Sequence, residues 1–248
     1  MAGDGTVRAI SDLFSRLGPR RSQEGDALAF ATPGSDHDPV FPTKAFRKFL
    51  KILLSRESPV LLDLGPVVGS NITFFGEQLG CKIFVEDLFD ELDRHADEGR
   101  PGALSASFRH RLPQDDYSVD GILCWNVLDY LDKPAAQALA AELMRVLRVD
   151  GVLLGFFGTV ASQDCRLTKY VVVDEGNLRH RAYARAGSRQ QVLLNRDIIK
   201  LFDRLRVSDS FLLQTNMREI LFRKPAYLSA AAGSPARAED RGTIGSSL

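Results

Sequence analysis

Cysteine is scarce in this chain of 248 residues: Cys81, Cys124 and Cys165 are the only three, and no two form a CxxC pair. That argues against a disulfide scaffold or a zinc knuckle, and makes a reducing, cytoplasmic compartment the expectation. Excess charge is missing too, since 32 basic and 32 acidic residues cancel. A protein built to coat nucleic acid or an anionic membrane would be more one-sided, although a local basic patch stays compatible with this balance. No apolar run approaches the roughly 20 residues of a membrane span. The N-terminus lacks the apolar core of a signal peptide. The four histidines are scattered, none at metal-ligand spacing with cysteine or carboxylate, so no metal site is expected. There is no GxxxxGK[ST] phosphate loop and no GxSxG elbow.

An apolar share of 44% is ample for a sizeable core. Residues 1–42 read as a short amphipathic helix (Val7, Ile10, Phe14, Leu17) followed by a Gly-, Pro-, Ser- and Arg-rich arm, and 229–248 as a disordered tail. Between them, 43–228 read as one domain. Phe46, Phe49, Leu50, Leu53 and Leu54 fall on one helical face, with Lys44, Arg47, Lys48 and Lys51 on the other.

A strand–helix rhythm follows. Val60–Leu62 is a short apolar run, as in a strand buried on both faces. Ile72, Phe75, Gly76 and Leu79 then predict a helix closing at Gly80. Cys81–Val85 predicts a second strand and 87–98 an acidic helix. A third strand is expected near Leu104–Phe108, and a fourth at Val119–Cys124. The helix around Leu139 and Leu143 leads through Asp150-Gly151 to a strand at Val152–Phe157. Alternation of this kind specifies a mostly parallel, doubly wound α/β sheet. The pattern then changes to a hairpin at 168–183, a helix capped by Asn195, and two final strands near 207–213 and 218–222 that form an antiparallel hairpin.

In an open parallel sheet, ligands bind beyond the carboxyl ends of the strands. The informative residues therefore follow each apolar run: Asp63 and Gly65 to Gly69, then Glu86 and Asp87, then Trp125 and Asn126. An acidic residue ending the second strand suits vicinal ribose hydroxyls, and glycines in the first turn allow close approach to the backbone. The nicotinamide fingerprint GxGxxG is not met, because Val67 and Ser70 occupy two of its glycine positions.

Val60-Leu61-Leu62-Asp63-Leu64-Gly65-Pro66-Val67-Val68-Gly69 resembles the first motif of class I S-adenosylmethionine-dependent methyltransferases. Leu112-Pro113 leading to Val119-Asp120, the passage Arg148–Leu153 and the ending Arg223-Lys224-Pro225 are similar to the same family, across about 58–225. The resemblance implies a seven-stranded Rossmann-like sheet, S-adenosyl-L-methionine as cofactor, and methyl transfer as the reaction. It places Asp63, Gly65 and Gly69 around the methionine part and Glu86 on the ribose. Phe108 becomes an apolar wall for adenine, Trp125 a pocket wall or core residue, and Asn126 lies near the transfer face. Where a general base is needed, Asp129 and Tyr130 are the nearest candidates. Two positions depart from the family pattern: Val67 replaces the middle glycine, and Phe108 or Arg109 stands where a third-strand carboxylate is common.

A methyltransferase-like module without catalysis, acting in binding or regulation, is the alternative reading. The acceptor, small molecule or protein, and the oligomeric state are not written in the sequence. Charge is uneven along the chain, with seven acids against Arg94 in 86–98 and eight Lys/Arg against two Asp in 179–206. A basic rim there suits an anionic substrate, or is simply a solvated face. His110 and His180 read as surface residues, and Cys124 as a buried small residue.

Overall fold

The computed structural model describes residues 38–97, 104–160, 166–184 and 191–226. The N-terminal amphipathic helix, most of the arm and the C-terminal tail expected from sequence lie outside these residues.

The chain forms β1 (Val40–Pro42), α1 (Phe46–Leu53), β2 (Val60–Asp63) and α2 (Gly69–Ile72), which widens into a π-helical segment over Thr73–Gln78. β3 (Lys82–Val85), α3 (Leu88–Asp97), α4 (Leu104–Arg111) and β4 (Val119–Trp125) follow, then a 3₁₀ turn (Val127–Tyr130) and α5 (Lys133–Val146). The remainder is β5 (Leu147–Gly158), β6 (Arg166–Asp174), β7 (Asn177–Ala184), α6 (Asn195–Leu201), β8 (Arg206–Leu212) and β9 (Met217–Arg223).

Among the described residues the main sheet has six strands in the order β3-β2-β4-β5-β9-β8. β3, β2, β4 and β5 run parallel, and the β9–β8 hairpin closes the sheet antiparallel. Alternate residues of these strands serve two separate cores, as a period of two requires. Leu62, Ile122, Cys124, Leu153 and Phe222 face the layer of α3 to α6. Leu61, Leu123, Trp125, Leu154 and Leu221 face α1 and α2. α1 buries Phe46, Phe49, Leu50 and Leu53 and leaves its lysines and Arg47 in water. Each such side chain contributes about 1.5–3 kcal/mol, which fixes which face turns inward.

Four expectations need correction. The segment at 104–108 is not a third strand but the start of α4, so the seventh strand is absent among the described residues. Leu104, Phe108 and Leu112 are spaced i, i+4, i+8, a helical period, and the Leu112 N–H donates to the Phe108 carbonyl at 2.9 Å. Residues 40–42, assigned to the arm, are β1. They pair with β7, and the 168–183 hairpin joins them in a separate three-stranded sheet, β1-β7-β6. Asn195 is the first helical residue of α6, and the cap position is Leu194, which makes no side-chain cap bond. In the helix after β2, Phe74 and Phe75 are both buried while Ile72 is 37% exposed, because the wider π turn lets two adjacent side chains face the core.

Candidate functional site at the carboxyl ends of β2, β3 and β4

β2 delivers Asp63 and β4 delivers Trp125 to neighbouring positions. Asp63 is buried, and a single oxygen, Oδ1, accepts the Gly65 N–H at 2.9 Å and the Trp125 Nε1–H at 2.6 Å. Burial pushes the Asp63 carboxyl up to about 6, against the pull of those two donors. The turn needs glycine at 65 for a spatial reason. A Cβ there would meet the Trp125 ring at 2.8 Å and Asp63 Oδ1 at 3.2 Å. At Gly69, where α2 begins, a Cβ would meet nothing within 4 Å. Val67, in the middle of the turn, is 58% exposed.

Trp125 adopts φ +46°, a left-handed conformation uncommon for a bulky residue. Its indole is buried and lies parallel to the Tyr170 ring, with centroids 5.0 Å apart. Phe156 meets both rings edge-on. Tyr170 arrives from β6, outside the main sheet. Asn71, in the first turn of α2, clamps that strand: its Nδ2 donates to the Tyr170 carbonyl and its Oδ1 accepts the Val172 N–H, both at 2.8 Å. His180 of β7 closes the cluster between Phe41 and Tyr170, and burial lowers it to about 4. The sequence-based reading of His180 as a surface residue is corrected accordingly.

Glu86 follows β3, and its N–H donates to the Asp63 carbonyl at 2.8 Å. The carboxyl is half-buried. Desolvation raises its pKa, opposed by the Arg111 cation and by a hydrogen bond from Gln114. Arg145 of α5 holds this loop, donating to the carbonyls of Gln114 (2.7 Å) and Leu112 (2.8 Å). Asp87 does the capping, accepting the Phe89 and Asp90 N–H groups at 3.1 Å. The helix cap is thus Asp87 and not Glu86.

Beyond β4, Asn126 is buried. Its Nδ2 donates to the Tyr130 hydroxyl at 3.4 Å, whereas Oδ1 is fully covered and has no hydrogen-bond partner. Asp129 is buried as well, and its Oδ2 accepts the Gly158 N–H at 2.8 Å. Burial, then the Asp129 charge, push the Tyr130 hydroxyl up to about 12. Burial, then the charges of Asp129 and Tyr130, raise the Tyr170 phenol as well.

The structure thus gathers Asp63, Gly65, Trp125, Asn126, Asp129 and Tyr130 into one region, with Glu86 beside it. Phe108 does not belong there. It sits on α4, 1% exposed, inside the core under the helical layer. Sequence reasoning missed Asn71, Gln114 and Tyr170. Gln114 follows the Leu-Pro pair directly and could have been weighed on position. Asn71, bonded to the main chain of β6, and Tyr170, stacked on Trp125, join distant segments, for which a single sequence carries no signal.

Residues 62–155 match the family described as "Methyltransferase domain". No curated protein matches the chain. Among solved structures, 1,6-didemethyltoxoflavin-N1-methyltransferase of Burkholderia thailandensis, crystallised with 1,6-didemethyltoxoflavin and S-adenosylhomocysteine, is similar at 19% identity. It covers 73% of this chain and 78% of its own, with a TM-score of 0.41. A SAM-dependent methyltransferase of Aquifex aeolicus (16% identity, 72% and 88% covered, TM-score 0.42) is also similar. So is a TehB-like SAM-dependent methyltransferase of Corynebacterium glutamicum (18%, 72% and 87%, TM-score 0.43). The matched residues, 94 of the 248, hold the carboxyl ends of β2, β3 and β4, and over that stretch the chain is similar to a methyltransferase domain.

Proposed function

We propose that the protein transfers a methyl group from S-adenosyl-L-methionine to an acceptor bound beside Asn126. The observation that carries this reading is the orphaned Asn126 Oδ1, a buried acceptor at the end of β4, within the matched segment. A buried acceptor without a partner costs about 1–3 kcal/mol, and a ligand N–H or O–H would satisfy it. Other residues fit the cofactor as well. Glu86 offers a half-buried carboxylate at a strand end, suited to ribose hydroxyls, and Gly69 leaves open space at the start of α2. Asp63 and Gly65 shape the turn, and the cofactor's sulfonium supplies an activated methyl group. The protein's own tasks are alignment and exclusion of water. Asp129 and Tyr130 are the groups near enough to Asn126 to handle a proton where the acceptor carries one. A small-molecule acceptor is favoured over a protein residue, because Asn126 and Asp129 are deeply buried.

A second reading, a binding module without catalysis, rests on the Trp125 ring lying against Gly65, where the backbone would otherwise be open to a ligand. Calorimetric titration with S-adenosylhomocysteine, with NAD as control, separates the two. Micromolar binding that weakens about tenfold to a hundredfold in Glu86→Ala, as expected for loss of a charged hydrogen-bond partner, supports the enzyme. No binding to folded protein favours the module.

No described helix is long and apolar enough to cross a membrane.

A further inference from the structure

Among the described residues, the β1-β7-β6 sheet shares no strand pairing with the main sheet. Where it stands over the site is therefore decided by other contacts. At its β1 end, the Thr43 N–H donates to the Gly176 carbonyl at 2.8 Å, and Arg47 pairs with Glu175 at 3.0 Å with its own side chain 66% exposed. At the site end the contacts are buried. Asn71 takes the main chain of β6 on both sides of Val171, and the Tyr170 ring lies flat on Trp125.

Both of these contacts start from the turn that follows β2. Asn71 lies two residues after Gly69. Trp125 is bonded to Asp63 and covers Gly65. A buried side chain at φ +46°, with its ring stacked on Tyr170 and met edge-on by Phe156, has little freedom to shift alone. A displacement of the glycine turn or of the Asp63 carboxylate is thus transmitted to Trp125, and from there to Tyr170.

We propose that Asn71 and Tyr170 are positioning residues that tie the β1-β7-β6 sheet to the Asp63–Gly69 turn, so that a ligand seated on the turn stabilises β6. This rests on the cofactor reading given above. The sheet, holding the Tyr170 ring flat on Trp125, is then the wall of the acceptor side, and it is set in place when the turn is occupied. Neither residue takes part in bond making. Their role is the placement of that wall.

The chain has a single tryptophan, so Trp125 reports directly on the junction. The test measures S-adenosylhomocysteine binding by calorimetry, Trp125 emission, and hydrogen exchange of the 166–174 segment. It uses the full-length protein and its Tyr170→Phe, Tyr170→Leu and Asn71→Ala variants, with thermal melting to confirm folding. In the wild type, the ligand shifts Trp125 emission and slows exchange in 166–174. Tyr170→Phe, which keeps the ring, retains both effects. Tyr170→Leu binds the ligand but loses the slowing, and Asn71→Ala does the same; if Asn71→Ala does not fold, the Phe and Leu pair decides. Ligand binding with unchanged exchange in the wild type overturns the inference and leaves the cofactor reading standing, as does full protection in Tyr170→Leu. A folded wild type that binds no ligand overturns both.

Discussion

Asp63 and Trp125, 62 positions apart in sequence, are joined by a buried hydrogen bond of 2.6 Å from the indole N–H to Oδ1. The same oxygen holds the Gly65 N–H, so one acceptor sets both the shape of the glycine turn and the side chain that covers it.

The burial of this carboxyl, which outweighs the bond, makes the site sensitive to pH. Burial raises Asp63 from 3.8 to about 6, so the folded protein binds the proton more tightly than the unfolded chain. The resulting stabilisation is complete below pH 4 and is lost as pH rises through 6, on the order of 3 kcal/mol. Trp125 emission is expected to titrate near pH 6 in the wild type and to stay flat in Asp63→Asn. A flat wild-type profile would dissociate the indole from the carboxylate.

His180 works in the opposite direction. Its pKa is lowered from 6.5 to about 4 by burial between Phe41 and Tyr170. Its contribution is present above pH 6.5 and is lost as pH falls through 4, because only the unfolded imidazole takes up the proton readily. His180→Phe keeps a ring in the cluster and removes the titration. Its melting temperature should fall less than that of the wild type between pH 6.5 and 4.

Gly65→Ala places a Cβ 2.8 Å from the indole. Overpacking of this kind costs about 1–3 kcal/mol. Chemical denaturation should show that loss, and Trp125→Leu in the same chain should recover part of it. Strictly additive effects in the double-mutant cycle would mean that the two residues do not compete for the space.

Glu219 is fully buried on β9 and caps α1 from across the fold, its Oε2 accepting the Lys44 N–H at 2.9 Å and the Ala45 N–H at 2.8 Å. Glu219→Ala should lower stability by about 1–2 kcal/mol, the value of a lost helix cap. Glu219→Gln, which retains an acceptor, should lose less. Equal melting temperatures for all three proteins would rule out the cap.

Much of the parallel part of the fold was legible because its signals are local. The apolar runs at 60–62, 119–124 and 152–157 and the glycine turn each follow from a few neighbouring residues. Leu104–Phe108 misled because a short apolar segment was read without Leu112, whose spacing completes a helical face. β1 was missed because three residues, Val40–Pro42, carry no period and become a strand only by pairing with β7.

The site divides in the same way. Asp63, Gly65, Glu86 and Asn126 could be named from sequence, since a parallel sheet brings its strand ends to one edge whatever else the chain does. That Trp125 would turn onto Gly65, that Asn71 would clamp β6, and that Phe108 would be withdrawn into the core depended on contacts between segments far apart. The sequence by itself determined the α/β order, the strand ends and the chemistry-bearing residues at them, because hydrophobic period and turn residues act over a few positions. Only the tertiary structure decided which of those residues share a hydrogen bond and what covers them, because close packing and burial depend on the whole chain at once.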